Sequence, residues 1–388
     1  MPSFPGALRS RLPRVGTTIF THMSRLAAEH GALNLSQGFP DFSAPPALYD
    51  LVLGHMRAGR NQYAPMAGVP QLREALAAKV ATLHGTRYDP EAEITVTAGG
   101  TQAIHAAITA LVHPGDEVIL LEPAYDSYAP AVELAGGRVV RLQLEPPAWR
   151  PDLARLRAAI GPRTRLVVVN SPHNPTGATW AAEDVEALAA ALRGTDVAVV
   201  SDEVYEHLVY DGRPHLSLSG HPELAARSLV VGSFGKTFHV TGWKVGWVLA
   251  PRELTAELRK VHQFVTFSVN TPVQLALAEW LADETRWRGL PAFYQAKRDL
   301  FREGLARTRF VSLPCQGTYF QLASYAAVSD EPDTALAERL TREVGVASIP
   351  VSAFYAEPPP GAAGRLLRFC FAKGEETLRE ACARLAQL

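Results

Sequence analysis

Between residues 94 and 250, short runs of β-branched residues alternate with longer runs rich in alanine and leucine, whose apolar positions recur with helical spacing. This alternation is typical of a mostly parallel sheet that is covered by helices, so the sequence predicts an α/β fold with one large, doubly wound sheet. The seven predicted strands are 94–97, 117–121, 139–144, 166–170, 197–201, 229–233 and 245–250. The helices between them are predicted to begin near Thr101, Tyr125, Asp152, Ala181 and Pro251.

After about residue 290 the pattern changes and predicts a smaller α+β unit. Its predicted elements are a helix at 293–308, strands near Phe310 and Tyr319, a helix at 334–344, a strand at 366–371 and a closing helix at 375–387. The first 40 residues contain several prolines, and we predict an irregular segment there that packs with the smaller unit or in the cleft between the two units. The predicted organisation is therefore an N-terminal segment, a large domain and a small C-terminal domain, at residues 1–40, 41–288 and 289–388.

The composition is that of an ordinary globular protein, since 47% of the 388 residues are hydrophobic and 20% are charged. Lysine and arginine total 38 and aspartate and glutamate total 39, so the net charge of −1 provides no broad field that would attract nucleic acid or an anionic membrane. We therefore expect small-molecule partners, with no nucleic acid and no membrane among them. Three cysteines without a C-x-x-C pair, and the lack of a signal-peptide pattern or a long apolar stretch, favour a cytoplasmic location.

Ligand sites of doubly wound sheets lie beyond the carboxyl ends of the strands, and two polar residues stand at such positions in this sequence. Asp202 follows the predicted strand 197–201, and Asn174 lies in the proline-containing loop 171–177 after the strand 166–170. Each residue also has a structural explanation, because aspartate is a preferred helix N-cap and Asn-Pro with a nearby glycine forms ordinary turns. Taken one at a time, these residues leave both interpretations open.

The segment 232–238, Gly-Ser-Phe-Gly-Lys-Thr-Phe, places Lys236 directly after a predicted strand. A phosphate-binding P-loop would need a glycine five residues before Gly235, where this chain has Val230. The spacing Ser233-x-x-Lys236 also matches the nucleophile pattern of the penicillin-recognising serine hydrolases, but their Lys-Thr-Gly motif does not follow. A third interpretation is a lysine that forms a Schiff base with pyridoxal phosphate.

The distribution of lysines favours this third interpretation. The chain has six lysines, and only Lys236 and Lys244 lie in glycine-rich loops beside predicted strand ends. A Schiff-base lysine must lose its proton, which burial and a cationic neighbour promote, and Lys244 could be that neighbour. Residues 99–101, Gly-Gly-Thr, lie where a strand ends and a helix begins, so backbone N–H groups there could bind a phosphate together with Ser233 and Lys244.

Together these residues resemble the fold-type I pyridoxal-phosphate-dependent aminotransferases, in particular the branch that contains the methionine and kynurenine aminotransferases. The resemblance extends over nearly the whole chain, and it rests on an ordered set of segments. They are 34–42 (NLSQGFPDF), 61–68 (NQYAPMAG), 97–102, 122–130 (EPAYDSYAP), 170–177, 201–206 (SDEVYE), 233–238, 241–251 (TGWKVGWVLAP), 261–274, 349–355 (IPVSAFY) and 368–373 (RFCFAK).

The resemblance implies that the large domain binds pyridoxal 5'-phosphate. Lys236 would form the Schiff base and act as the general base, and Asp202 would keep the ring nitrogen of the cofactor protonated. Tyr205 and Asn174 would hydrogen-bond the phenolic oxygen of the cofactor, and Tyr125 would stack on its ring. The residues implied to hold the phosphate are Gly100, Thr101, Ser233 and Lys244.

For the substrate, the resemblance implies that Arg368 clamps the α-carboxylate in bidentate fashion, with help from the backbone of Gly38 and from Asn174. It also implies a homodimer with shared active sites, in which Tyr63 and Phe267 of one subunit reach the cofactor and substrate of the other. Phe20, together with Tyr63 and Phe267, would line the pocket for the substrate side chain. Packing in an apolar core is an alternative role for these three aromatic residues.

The implied activity is transfer of the amino group of an apolar or aromatic L-amino acid, methionine first, to a 2-oxo acid by a ping-pong mechanism. The alternatives are a kynurenine-type aminotransferase, a carbon–sulfur β-lyase that uses the same cofactor, and a non-catalytic amino-acid sensor. Thr101 stands where kynurenine-type members carry an aromatic residue, and Ser268 stands where some carry histidine, so both positions argue against a preference for kynurenine. No H-E-x-x-H motif occurs, and no metal site is predicted.

Overall fold

The computed structural model describes residues 6–357 and 365–388. The helices are α1 (Ile19–His30), α2 (Pro46–Arg57), α3 (Pro70–His84), α4 (Gly99–Leu111), α5 (Tyr128–Leu134), α6 (Leu153–Ala159), α7 (Ala182–Leu192), α8 (Pro222–Ala225), α9 (Phe234–Thr237), α10 (Arg252–Val265), α11 (Thr271–Leu281), α12 (Thr285–Arg288), α13 (Leu290–Leu305), α14 (Asp333–Arg339) and α15 (Glu375–Leu385). The strands are β1 (Leu33–Asn34), β2 (Ile94–Thr97), β3 (Glu117–Glu122), β4 (Arg138–Gln143), β5 (Thr164–Asn170), β6 (Ala198–Asp202), β7 (Ser228–Ser233), β8 (Gly246–Leu249), β9 (Val311–Ser312), β10 (Phe320–Ser324), β11 (Val346–Ala347), β12 (Ile349–Pro350) and β13 (Leu366–Cys370).

The large sheet has seven strands in the order β2-β8-β7-β6-β5-β3-β4, which confirms the predicted α/β fold. Its strands pair in parallel except for β8, which runs antiparallel to both β2 and β7. Each predicted strand agrees with an observed one to within two residues. The register places Asn170 opposite Asp202, so the polar ends of β5 and β6 lie side by side at one edge.

Both faces of this sheet are buried, which explains why its central strands are almost continuously apolar. On one face, Val168 of β5 and Val200 of β6 belong to a core that α4, α5 and α10 cover. On the other face, Val167 and Val199 join a larger core that continues into the C-terminal part of the chain. The sheet is thus packed on both faces, and this packing holds the ends of its strands in place.

The C-terminal part is built on an antiparallel sheet of four strands in the order β12-β13-β10-β9. Helices α13 and α15 pack together beside it, and α14 continues into one π-helical turn at Leu340–Val344. The predicted helices and strands of this region are all present, with ends that differ by a few residues. Strand β13 is buried along its whole length and carries Arg368 in its middle.

The expectation of an irregular N-terminal segment was wrong for residues 19–30, which form α1. The Thr18 hydroxyl caps this helix by accepting a hydrogen bond from the N–H of Thr21 at 3.2 Å, and Gly31 ends it with a φ of 60°. The buried residues of α1 are Met23, Leu26 and Ala27, a helical spacing that spans too few turns to stand out in the sequence.

The N-terminal segment also contributes a strand to the C-terminal part of the molecule. Strand β1 pairs in parallel with β11, so that Leu33 lies opposite Val346. Residues 1–5 of the predicted segment 1–40 lie outside the described residues. The predicted domain limits at residues 40 and 288 stay a prediction.

Candidate active site

A cavity of about 390 Å³, here called the central cavity, lies beyond the carboxyl ends of the large sheet. It is closed on its other sides by β10, β13 and the N-terminal segment, so residues from all parts of the chain meet in it. The predicted site residues that line it are Phe20, Gly38, Gly100, Thr101, Tyr125, Asn174, Asp202, Tyr205, Ser233, Lys236, Lys244 and Arg368. Two predicted site residues, Tyr63 and Phe267, are not among its lining residues.

Lys236 lies in the short helix α9, which begins directly after β7. Its Nζ donates a hydrogen bond to the carbonyl oxygen of Gly38 at 3.1 Å and lies 5.7 Å from the centre of the Tyr205 ring. Burial lowers the pKa of Lys236 from 10.5 to about 8, and the positive charges of Arg368 and Lys244 act in the same direction. This lysine therefore loses its proton more readily than an ordinary lysine, and a minor fraction is in the uncharged, nucleophilic form near neutral pH.

Asp202 is the last residue of β6 and is almost fully buried at the base of the cavity. Its Oδ2 accepts a hydrogen bond from the hydroxyl of Tyr128 at 2.5 Å, and its Oδ1 accepts one from the N–H of Val204 at 3.3 Å. Burial raises the pKa of Asp202 to about 6, although both hydrogen bonds oppose this effect. A buried carboxylate of this kind is suited to face a cationic group of a ligand.

A chain of hydrogen bonds links Asp202 to Arg368. The side-chain amide of Asn170 donates to the carbonyl oxygen of Asp202 at 2.7 Å and accepts from the N–H of Asn174 at 2.8 Å. The side-chain oxygen of Asn174 in turn accepts from Nη1 of Arg368 at 2.7 Å. Asn174 is thus held as a bridge between the two sheets, and the tight-turn explanation of the loop 171–177 does not account for this contact.

Arg368 is only 1% exposed, and its guanidinium lies 3.8 Å from the centre of the Phe320 ring. Its Nη2 donates to the carbonyl oxygen of Ser36 at 3.0 Å, whereas its buried Nε has no hydrogen-bond partner among residues 6–357 and 365–388. Burial lowers the pKa of Arg368 to about 10. A buried guanidinium with a donor to spare at the edge of a cavity is suited to bind a carboxylate.

Gly38 lies between these two cations. Its carbonyl oxygen accepts hydrogen bonds from Lys236 and, at 2.5 Å, from the hydroxyl of Tyr319. A Cβ atom at Gly38 would lie 2.7 Å from Cζ of Phe320, so only glycine fits here without displacing the ring. The loop 36–38 therefore brings backbone close to both Lys236 and Arg368.

The helix α4 opens onto the cavity at Gly99 and Gly100. Gly99 has a φ of 79°, and a Cβ atom on it would lie 3.4 Å from Nζ of Lys244. Gly246 of β8 packs so closely that a Cβ atom on it would lie 3.0 Å from the backbone nitrogen of Gly100. Free N–H groups at the start of a helix of 13 residues, next to a lysine, are suited to bind an anion such as phosphate.

Tyr205 and Tyr125 bring aromatic rings to the cavity. The Tyr205 ring is buried and meets the Tyr319 ring edge to face, with ring centres 5.1 Å apart. The Tyr125 ring is half-buried and meets the Tyr128 ring in the same way at 5.7 Å. Burial raises the pKa of both Tyr205 and Tyr125, so each hydroxyl is a hydrogen-bond donor at neutral pH.

A buried ion pair and a buried, hydrogen-bonded carboxylate support the turn 202–206. Glu206 pairs with Lys79, and their side chains are 4% and 3% exposed. Glu203 accepts from His215 at 2.8 Å and from the hydroxyl of Ser201 at 2.8 Å. These acidic residues alternate with the site residues along the turn, so one short segment is fixed from both sides.

Several residues of the site were not found from the sequence. Asn170 and Tyr128 are the main ones, since they position Asn174 and Asp202. Asn170 could have been found from its position, because it is the last residue of β5 and lies beside the end of β6. Tyr128 stands three residues after Tyr125, at the start of α5, and nothing in the sequence pattern marks its contact with Asp202.

Tyr63 and Phe267 lie together on the surface of the chain. Their side chains are 82% and 50% exposed, and their ring centres are 5.3 Å apart in an edge-to-face contact. Phe267 has a φ of 66°, an unusual conformation for a large side chain. Packing in the core is therefore excluded for this pair within the single chain.

Other kinds of site find no support in the described residues. Within residues 6–357 and 365–388, no group of three or more His, Cys, Asp or Glu side chains is arranged to hold a metal ion. In the same part of the chain no helix is long and apolar enough to cross a membrane.

Comparisons with known proteins agree with this geometry. A family model for aminotransferase class I and II matches residues 31–385. Methionine aminotransferase of Escherichia coli (strain K12) is 52% identical over 389 residues, which cover 100% of each chain. Kynurenine–oxoglutarate transaminase 1 of Mus musculus is 36% identical and covers 97% of this chain and 96% of its own. The crystal structure of YbdL from Escherichia coli, identified as having a methionine aminotransferase function, has a TM-score of 0.96 at 52% identity and covers 99% and 100% of the two chains.

The fold and the central cavity are those of a fold-type I transferase. The chain belongs to the family of class I and II aminotransferases, and it is a pyridoxal-phosphate-dependent enzyme. The predicted aminotransferase activity is thereby confirmed, and the serine-hydrolase interpretation of the segment 232–238 falls away.

The residues of the central cavity fit this cofactor. An aldehyde requires an amine that is easily deprotonated, and the pKa of Lys236 is lowered accordingly. A phosphate requires N–H donors and a cation, which the start of α4 and Lys244 provide. A cationic ring nitrogen requires a buried carboxylate, which Asp202 provides.

We expect Lys79→Met to destabilise the protein by about 3–5 kcal/mol, because it leaves the buried carboxylate of Glu206 without its cation. The free energy of unfolding in urea, measured on the cofactor-free protein, tests this. The matched control is Lys260→Met, which removes an exposed ion pair with Glu257 and should cost about 1 kcal/mol or less. Equal costs for the two variants would contradict the proposed role of the buried pair.

We expect Lys236→Met to stabilise the cofactor-free protein near neutral pH. Below pH 8 the amine is protonated in the folded and the unfolded state, so the wild-type fold bears the full cost of burying the charge. Between pH 8 and the unfolded pKa of 10.5 the folded state loses its proton first, and this cost disappears as the pH rises.

Urea unfolding at a series of pH values should therefore show a stabilisation by Lys236→Met that shrinks between pH 8 and pH 10.5. The exposed control Lys260→Met should show no change of this kind over the same range. A stability difference for Lys236→Met that is constant with pH would contradict the lowered pKa.

Proposed function

We propose that this aminotransferase moves the amino group of an apolar or aromatic L-amino acid, with methionine preferred, to a 2-oxo acid. The observation that carries the proposal is the meeting of Lys236, Asp202 and Arg368 in one cavity. Arg368 is the only arginine among the described residues that line it, so the cavity offers one guanidinium for one substrate carboxylate. The aromatic rings around Arg368 support an apolar or aromatic side chain over a charged one.

In this proposal the central cavity would hold the cofactor. Lys236 would attach it through Nζ, Asp202 would pair with its ring nitrogen, and Tyr125 would pack on its ring. Asn174 and Tyr205 would donate hydrogen bonds to its phenolic oxygen. The phosphate-holding residues are Gly100, Thr101, Ser233 and Lys244. Bound pyridoxal phosphate supplies a ring that takes up the negative charge left at Cα of the amino acid when the proton is removed.

The side chains of the cavity divide the remaining tasks among them. Arg368 binds the α-carboxylate, and its hydrogen bond to Asn174 fixes the orientation of that carboxylate relative to the base. Lys236 removes the proton from Cα, because its lowered pKa leaves part of the amine uncharged near neutral pH. The ionised carboxylate of Asp202 would stabilise the protonated form of the ring nitrogen.

The pocket for the substrate side chain is proposed to lie beside Phe20. The guanidinium of Arg368 lies 5.3 Å from the centre of the Phe20 ring, and Gln37 holds this part of α1 by donating to the Phe20 carbonyl at 3.1 Å. The similarity to the methionine aminotransferase of Escherichia coli supports methionine as the first donor to test. Because one methylene in an apolar pocket changes binding by about 1–3 kcal/mol, related donors should also react.

A panel of amino acids tests this assignment. Methionine, phenylalanine, tyrosine, leucine, kynurenine, aspartate and glutamate are compared as donors by kcat/KM, each with several 2-oxo acids. We expect methionine to rank first and Lys236→Ala to abolish both the reaction and covalent attachment of the cofactor, as seen by mass spectrometry after borohydride reduction. Kynurenine ranking first, or pyruvate and ammonia from cystathionine as the main products, would replace the proposal by one of its alternatives.

We also propose that two copies of the chain form a homodimer with shared active sites. Tyr63 and Phe267 are exposed in the single chain, and Phe264 beside them is 84% exposed. Exposed aromatic side chains in a group mark a surface that a partner covers. A second copy would place Tyr63 and Phe267 at the central cavity of the other subunit, as the family resemblance implies.

Mixing two inactive variants tests the shared site. If Lys236 of one subunit works with Tyr63 of the other, a mixed dimer of Lys236→Ala and Tyr63→Ala contains one intact site. Random exchange of subunits should then restore about a quarter of the wild-type activity.

The matched control mixes Lys236→Ala with Asp202→Asn, two changes within one cavity, and should restore nothing because no mixed dimer then has an intact site. Failure of the first mixture to regain activity, although sedimentation shows dimers, would contradict the sharing of sites.

A cytoplasmic location is part of the same proposal. Cys315, Cys370 and Cys382 are free and buried in the structure, which suits a reducing compartment.

A further inference from the structure

Two carboxylates line the central cavity, and their surroundings differ. Asp202 has hydrogen bonds from Tyr128 and from the N–H of Val204. The half-buried side chain of Asp126 is near its own backbone N–H, and in the ranges 6–357 and 365–388 it forms no hydrogen bond or ion pair with another residue. A carboxylate that faces a cavity without a partner acts on whatever enters that cavity.

The position of Asp126 is fixed by its neighbours in the loop between β3 and α5. The N–H of Ala124 donates to the carbonyl oxygen of Phe354 at 2.8 Å, which ties the loop to the C-terminal part of the chain. Two residues after Asp126, Tyr128 is tied to Asp202. Asp126 therefore stays at the cavity wall, next to Tyr125 and in the same cavity as Arg368.

Arg368 affects the ionisation of Asp126. Burial raises the pKa of Asp126, and the positive charge of Arg368 opposes that change. Arg368 itself is held by Asn174 and Ser36 and does not form an ion pair with Asp126. The cavity thus presents one guanidinium and one unpaired carboxylate to a substrate.

We propose that Asp126 is a specificity-determining residue that selects substrates with a single carboxylate. The proposal rests on the aminotransferase function proposed above. An amino acid or 2-oxo acid with one carboxylate binds Arg368 and leaves its neutral side chain near Asp126. A dicarboxylic substrate, such as aspartate, glutamate or a 2-oxo diacid, brings a second negative charge into a cavity whose only free charged side chain is itself negative.

The other cations of the cavity do not offset this repulsion. In the proposed function Lys236 and Lys244 serve the cofactor, and the described lining contains no second arginine. Repulsion between like charges is stronger in a cavity from which water is largely excluded than at the surface. Asp126 therefore acts by disfavouring the wrong substrate and contributes nothing to the binding of the right one.

The test compares two ligands that bind without reacting. Glutarate carries two carboxylates, and 4-(methylthio)butanoate carries one carboxylate and the thioether of methionine. Their Kd values for the holoenzyme are measured by titration calorimetry in wild type and in Asp126→Asn, which keeps the shape and removes the charge. We expect the ratio of the two Kd values to shift toward glutarate by about tenfold or more.

Three further variants make the result specific. Asp126→Ser should shift the ratio in the same direction and serves if the asparagine variant does not fold. Asp126→Glu keeps the charge and should leave glutarate disfavoured. Asp196→Asn is the control. It removes an exposed carboxylate that lies two residues before the start of β6, whereas the cavity lies beyond the end of that strand, so the ratio should not change.

A ratio in Asp126→Asn and Asp126→Ser within about twofold of the wild-type ratio would overturn the proposal. This outcome differs from a failure of the proposed function, in which the wild-type holoenzyme would neither bind 4-(methylthio)butanoate nor react with methionine. In the half-reaction with an amino donor, Asp126→Asn and Asp126→Ser should also react faster with glutamate, relative to methionine, than the wild type does.

Discussion

A chain of hydrogen bonds joins the parallel sheet to the antiparallel sheet, and the site depends on it. Asn170 connects the end of β6 to Asn174, and Asn174 connects to Arg368 in the middle of β13. Arg368 also donates to the Ser36 carbonyl, so the N-terminal segment is fixed by the same guanidinium. These contacts hold the groups that must meet one small molecule in fixed relative positions, which lowers the entropic cost of the reaction.

The arrangement is costly for the fold, and the cost is confined to the cavity. Burial disfavours the charged forms of Lys236, Arg368 and Asp202, as the direction of each pKa shift shows. Behind the turn 202–206 the buried charges are paired instead, with Glu206 against Lys79. The polar groups that support the site are therefore satisfied, while those that face the cavity keep unused capacity for a ligand.

The sequence predicted what depends on neighbouring residues and on strand order. Asp202 ends β6 and Lys236 follows β7 by three residues, and the carboxyl ends of neighbouring parallel strands meet at one edge of the sheet. Their place made both residues candidates, and the family resemblance implied their roles. Arg368 came only from the family resemblance, since its partner Ser36 is 332 residues away and no local pattern marks the contact. No role was predicted for Tyr128 or Asp126, because their importance lies in what they face across the cavity. Tyr63 and Phe267 face no part of their own cavity, so a single chain leaves their predicted role as a prediction.

The unpaired groups of the cavity also explain how ligand binding and ionisation are coupled. In the cofactor-free protein, burial raises the pKa of Asp202 to about 6, so its carboxylate is held against a desolvation cost. A cationic ring nitrogen placed against that carboxylate would favour the ionised form and lower the pKa again. A phosphate at the start of α4 would bring a negative charge to Lys244, and a substrate carboxylate would bring one to Arg368. The ligands thus supply the opposite charge at each of these three places. Asp126 is the exception, because the neutral side chain of a substrate with a single carboxylate brings no cation to it, and an unpaired charge of this kind acts by exclusion.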